Sequence, residues 1–131
     1  MTPNLVNILT LSHFLNLLND PLSQVDFNDS IALIDSLYDF TPTAFSNGNA
    51  ISAAEQNQGS CKIFSFAQLL NLDEQQTLRC FGRFYQSVIE SPSGDDHQNI
   101  RQFMLHGWKS VVFEGHALNS IKSTSSAIEA P

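Results

Sequence analysis

An Asn-Gly pair at positions 47 and 48 interrupts a chain that otherwise repeats its apolar residues at helical spacing, and this interruption constrains the fold more than any other feature. Asn-Gly favours the tight turns of β-hairpins, here of type I′, and Phe45 and Ile51 stand on the runs either side of it. The stretch from Thr43 to Ser52 is therefore expected to form a short hairpin or an ordered loop. What surrounds it reads as helix, so the expected class is α+β, predominantly helical: about five helices with a small β-hairpin or short β element.

The first helix is expected from about Asn7 to Asn19. Leu11, Phe14, Leu15 and Leu18 fall on one face, and Asn19-Asp20-Pro21 stops the run. Asp26 is a candidate N-cap for a second helix carrying Phe27, Ile31, Ile34 and Tyr38, which ends before Thr41-Pro42. A polar approach, Glu55 to Ser60, leads to a third helix with Ile63, Phe64, Ala67 and Leu70 inward and Ser60 as its cap. Asp73 and Gln76 have the spacing of a capping box and open a fourth, with Leu78, Phe81, Tyr85 and Val88 inward. Gly82 weakens that helix by up to about 1 kcal/mol relative to alanine and would permit a close helix contact. Ser91-Pro92-Ser93-Gly94 ends it. Asp96 is expected to cap a fifth helix bearing Ile100, Phe103 and Met104, with Gly107 at its end. Val111-Val112-Phe113 is β-prone. One globular unit over residues 1–119 is expected, followed by a fraying tail over 120–131.

A chain of 131 residues suits one core, and at 42% hydrophobic residues it has the apolar surface to order one. Its formal charge of −7 repels a polyanion, so neither nucleic acid nor an anionic membrane is an expected partner. No apolar run approaches the ~20 residues of a membrane span, and no secretory signal is evident, so a soluble cytoplasmic protein is expected. Cys61 and Cys80 form neither a disulfide framework nor a Cys-x-x-Cys pair, and are read as reduced thiols.

Three blocks carry a family resemblance. They are Tyr38-Asp39-Phe40-Thr41-Pro42-Thr43-Ala44-Phe45 with Asn47-Gly48, then Gly59-Ser60-Cys61-Lys62-Ile63-Phe64, then Asp96-His97-Gln98-Asn99-Ile100-Arg101 running into Gly107-Trp108. In these the chain resembles the HopJ type III effector family, from roughly the first helix through Leu118. The resemblance implies a bacterial protein of a family without a settled biochemical activity, named for a plant-pathogen protein delivered into host cells. Delivery into a host cell is thus the expectation beside a cytoplasmic one.

Among single residues, Cys61 stands out. At the first turn of a helix, with Lys62 beside it, a thiolate would be favoured. Gly59-Ser60-Cys61 echoes the nucleophile run of papain-like proteases, but those place their histidine about 130–150 residues downstream. In this chain of 131 residues only 70 follow position 61. A smaller cysteine-dependent hydrolase or transferase would pair Cys61 with His97 or His116, oriented by Asp95, Asp96 or Asn99. Against it stands the plainer reading of Cys61 as a buried residue at a helix start. A metal at Asp95-Asp96-His97 is not expected, because adjacent residues rarely point at one centre, and no cofactor is expected either.

The leading expectation is a small binding or interaction domain with a polar cleft at helix N-termini. Its partner would be a protein or a small anionic ligand. Backbone amides at the start of the third helix would hold a phosphate or carboxylate, with Asn57, Ser60, Lys62, Asn99 and Arg101 around it. Phe45, Phe64, Phe66 and Trp108 would either wall this pocket or form the core. The expectation requires residues 57–62 and 96–101, far apart in sequence, to meet at one hollow.

Overall fold

Apolar stripes that no single helix can bury alone draw the helices of this protein around one phenylalanine. The computed structural model describes residues 5–20 and 25–121. The helices are α1 (Leu5–Leu18), α2 (Phe27–Leu37), α3 (Gln58–Leu69), α4 (Glu74–Arg79), α5 (Arg83–Glu90) and α6 (Gln98–His106). Among the described residues five three-residue strands accompany them: β1 (Tyr38–Phe40), β2 (Phe45–Asn47), β3 (Ala50–Ser52), β4 (Val111–Phe113) and β5 (Leu118–Ser120). A single 3-10 turn, Gly107–Ser110, joins α6 to β4. The class is α+β and mostly helical.

Phe64 of α3 is fully buried, with Phe45, Phe81, Phe103 and Trp108 around it at ring centroid distances of 6.1, 5.5, 5.1 and 6.1 Å. Those partners come from β2, the α4–α5 junction, α6 and the 3-10 turn, so one ring ties most of the chain together. Phe66, also fully buried, meets Phe14 of α1 and Tyr38 of β1 on the other side. The apolar positions expected to face inward on α1 are Leu11, Phe14, Leu15 and Leu18, and all are buried or half-buried.

The strands form two small antiparallel sheets, β1–β5 and β3–β2–β4. Asn47 pairs with Ala50, so the hairpin is present, but its turn is one residue later than expected. Gly48 occupies the first central position with φ +58°, and Asn49 has no positive φ, which is the type II′ pattern rather than I′.

Two helices have bounds that differ from the sequence reading for physical reasons. Tyr38 continues the stripe of α2 in register, yet pairs with Ser120 across β1 and β5, because strand pairing there captures the chain. The expected fourth helix is two helices broken at Gly82. That glycine has φ +56°, and a Cβ on it would lie 2.5 Å from the Asp26 Cα, so it admits the cap of α2. Of the residues read on the fifth helix, Ile100 and Phe103 are buried and Met104 is largely exposed. The pairing of Ser120 and the bond from the Ile121 amide to the Leu37 carbonyl (3.2 Å) extend structure past residue 119. The rest of the stretch expected to fray lies outside the described residues.

Asp26 serves two helices at once. Its carboxylate accepts from the Phe27 amide (2.8 Å) at the start of α2, where Asp29 completes the capping box. The same carboxylate accepts from the Arg83 amide (3.2 Å) at the start of α5 and pairs with the Arg83 guanidinium. Hydrogen bonds from Arg83 hold its pKa well below the usual carboxylate range.

Candidate functional site

α3 and α6 begin at the same hollow. Each is preceded by a residue in the left-handed region, Asn57 (φ 52°, ψ 44°) and His97 (φ 52°, ψ 49°), and neither side chain caps its helix. Left-handed backbone is costly for residues with a Cβ and is least so for Asn, Asp and His. The expected caps, Ser60 and Asp96, do not serve: Ser60 lies inside α3, and Asp96 is turned to Arg101. In α3 the first amide with a carbonyl one turn back is that of Cys61, which donates to the Asn57 oxygen (3.0 Å). The amides before it have no intrahelical acceptor. They carry the positive end of the helix dipole toward the hollow, as do the first amides of α6.

The hollow has a volume of about 580 Å3. Its polar side is made by Ser52, Asn57, Ser60, Gln98 and Asn99, and its apolar side by Phe27, Phe84 and Ile100, with the β3 strand forming a third wall. Asn57 is held by a bond from its Nδ2 to the Ser52 Oγ (2.9 Å), and Asn99 accepts from the Asn47 side chain through its backbone oxygen (2.7 Å) and its Oδ1 (3.1 Å). Phe27 and Phe84 pack edge to face at 5.1 Å, and the His97 ring lies against Phe84 at 5.3 Å. Gly59 lets Phe27 reach this position, since a Cβ there would stand 2.5 Å from the ring. Among the described residues no Asp, Glu, Lys or Arg side chain lines the hollow, and His97 is its one titratable group.

Of the residues singled out from sequence, Asn57, Ser60, His97 and Asn99 meet here, whereas Cys61, Lys62, Asp96 and Arg101 are not in the lining. Lys62 is committed elsewhere: its Nζ pairs with Asp35 (2.8 Å) and lies 4.9 Å from the centre of the Phe40 ring. Arg101 is buried and gathers the preceding loop, donating to the carbonyls of Asp96 (2.5 Å) and Ser91 (2.9 Å) and to the Asp96 carboxylate (2.6 Å). That last bond lowers the Asp96 pKa. Lys62 and Arg101, expected around an anion, are thus engaged with other groups of the chain and lie outside the lining.

Cys61 does not have the environment of a nucleophile. It is 1% exposed, its sulfur is 3.5 Å from the Thr43 carbonyl oxygen, and burial pushes the thiol up rather than toward thiolate. The side chains of α3 splay around its axis, so residue 61 turns inward while 59 and 60 face the hollow. Burial likewise pushes Cys80 up, to about 12. His116 and Asp95 are exposed, and Phe45, Phe64 and Phe66 belong to the core. Trp108 packs at the core's margin with its Nε1 donating to the Leu72 carbonyl (3.1 Å). Phe27, Phe84 and the β3 wall are the parts of the hollow that the sequence reading missed. Gly59 in the first turn of a helix was the available signal for the close approach of an aromatic ring.

A second hollow of about 610 Å3 lies beside Asp26, but its cations are engaged. Arg83 pairs with Asp26, and Arg79 donates to the Leu18 carbonyl (2.5 Å). Among the described residues no group of three or more His, Cys, Asp and Glu side chains could hold a metal ion, and no helix is long and apolar enough to cross a membrane.

Comparison with known proteins supplies the wider setting. No curated protein matches the chain. A crystal structure described as that of an unknown function protein, VPA0580, is similar to it at 44% identity and a TM-score of 0.81, covering 92% of this chain and 97% of that one. The family profile described as HopJ type III effector protein matches residues 11–118, which include all three blocks of the resemblance and every residue of the hollow. The chain therefore belongs to the HopJ type III effector family.

Proposed function

We propose that this protein is a small binding module whose ligand enters the hollow at the starts of α3 and α6 and presents a negatively charged group to it. One observation carries this reading: two helices of different chain origin both begin, without side-chain caps, at a single hollow of about 580 Å3. Unpaired amides at helix starts attract anions, and here two sets are aimed at one space. The apolar wall of Phe27, Phe84 and Ile100 gives the rest of a ligand a surface to cover, and such a mixture of apolar lining and a few convergent polar groups is typical of ligand sites. The family description supports delivery into a host cell as the setting in which this binding is used. A cysteine-dependent hydrolase or transferase is disfavoured by the burial of Cys61.

A thermal-shift screen of singly charged carboxylates, phosphate and phosphorylated metabolites tests the reading, because a ligand selective for the folded state raises its melting temperature. The expected result is a shift in the wild-type protein that is lost in Ser60→Trp, which fills the hollow from a partly exposed helical position. Equal shifts in both proteins would move the site elsewhere, and no shift with any carboxylate or phosphate would remove the reading.

A further inference from the structure

The hydrogen-bond ladder of the small sheet determines what β3 offers to the hollow. The Gly48 amide donates to the Ser110 carbonyl (3.1 Å) and the Glu114 amide to the Ala44 carbonyl (3.0 Å), while Ser46 lies opposite Val112. Even-numbered residues along β2 thus turn their main-chain groups toward β4. Phe45 and Asn47 turn theirs toward β3, where Ser52 and Ala50 face them. Because antiparallel pairs alternate, Asn49, Ile51 and Ala53 direct their main-chain groups away from the sheet, along its free edge.

That edge is closed at two of these three places. The Asn49 amide donates to the Gln102 Oε1 (2.9 Å) and the Ala53 amide to the Gln56 Oε1 (3.0 Å). Ile51, between them, has no such side-chain cap and stands in the wall of the hollow. An open edge residue presents one donor and one acceptor in the geometry that pairs with another strand.

We propose that the hollow takes the C-terminal end of an extended peptide: one peptide residue exchanges two main-chain hydrogen bonds with Ile51, and the terminal carboxylate lies at the uncapped starts of α3 and α6. This rests on the binding-module reading and names its ligand class. The open place on the edge admits a single residue, which suits a chain end better than a long added strand. Among the described residues the lining holds no Asp, Glu, Lys or Arg, and its His97 ring lies 3.8 Å from the Asp96 carboxylate, so the positive character of the site comes from backbone dipoles. Such a site matches a single carboxylate, whereas a polyphosphate would find no Lys or Arg and would meet a chain of net charge −7. The rings of Phe27 and Phe84 receive an apolar side chain near the peptide's end.

The test is selection by the immobilised full chain from a library of peptides displayed with free C-termini, followed by fluorescence anisotropy on tagged synthetic heptapeptides of the selected sequences. Convergent C-terminal sequences with an apolar residue among the last three are expected. Amidation of the terminal carboxylate should weaken binding about tenfold or more, the scale of a lost charge-assisted hydrogen bond. Ile51→Pro removes the edge donor while leaving the pairing groups of Ala50 and Ser52, and should weaken binding comparably. N-methylation along the peptide should give the same loss at one position, and needs no protein variant to fold. Absence of convergent sequences, or amidated peptides binding as well as free ones, overturns the proposal. Should benzoate or phosphate still raise the melting temperature in a Ser60-dependent way, the binding-module reading stands while the peptide assignment falls. If neither peptides nor small anions bind, both fall.

Discussion

Asn47 and Asn99, 52 positions apart in the chain, are joined by two bonds from one side-chain amide: the Asn47 Nδ2 donates to the Asn99 backbone oxygen at 2.7 Å and to its Oδ1 at 3.1 Å. Asn47 is completely buried, and this contact fixes the hairpin against the start of α6. Asn47→Asp replaces the donor with a carboxylate facing two oxygens. A loss of about 2–3 kcal/mol in urea denaturation is expected, since a buried group is left without a partner and acquires charge. Asn47→Ala should cost less, as it leaves no charge behind.

Phe64→Ala should be more damaging. The ring is fully buried among Phe45, Phe81, Phe103 and Trp108, and removing a buried phenylalanine typically costs about 3–5 kcal/mol. The same denaturation measurement checks it, and a loss below about 1 kcal/mol would contradict the central position given to this side chain.

Arg101→Lys tests the loop clamp. The guanidinium reaches the Ser91 and Asp96 carbonyls and the Asp96 carboxylate in one planar arrangement, which a lysine ammonium cannot reproduce. A loss of about 2 kcal/mol is expected. Hydrogen exchange should show faster opening at residues 91–97, and the ligand-induced thermal shift should shrink because His97 and Gln98 follow that loop.

The shared cap at Asp26 gives a pH dependence of defined sign. Its folded-state pKa is lowered from 3.8, chiefly by the hydrogen bond from Arg83. A depressed carboxylate contributes stability that is present above its unfolded pKa and is lost as pH falls through the folded value. Wild-type stability should therefore decline as pH drops below 3.8, and part of that decline should be missing in Asp26→Asn. Parallel acid slopes for the two proteins in urea titrations would contradict it. Asp96, lowered by Arg101, adds to the same acid limb.

Thiol labelling should be slow in the native state. Both cysteines are free and buried, and burial raises both thiols. Iodoacetamide near neutral pH should modify the folded protein at least about tenfold more slowly than the denatured one. Fast native labelling at Cys61 would reopen the cysteine-dependent reading.

Local chemistry was legible wherever it was self-sufficient. Asp26 with Asp29, and Asp73 with Gln76, close capping boxes within one turn, so those starts could be read from four consecutive residues. Tyr38 could not be assigned this way, because it satisfies the stripe of α2 and the pairing of β1 alike, and only its distant partner Ser120 decides. The break at Gly82 depends on Asp26, 56 positions earlier, for the same reason. In the hollow, the meeting of residues 57–60 with 97–99 was foreseeable from two polar segments ahead of helices. The left-handed starts at Asn57 and His97 were not, since capping preferences favour the Ser60 and Asp96 hydroxyl and carboxylate nearby. The directions of Lys62 and Arg101 were not legible because charge says nothing of direction: one points from α3 across to Asp35 of α2, the other back into its own loop.

The double duty of Asp26 has a consequence for how the molecule breathes. Its carboxylate joins the first turns of α2 and α5, so loosening either end takes a hydrogen-bond partner from the other. Phe27 carries one of the two amides concerned, Phe84 follows the residue that carries the other, and both rings form the apolar side of the hollow. The apolar side of the hollow is therefore tied to a knot between two segments rather than to either segment alone.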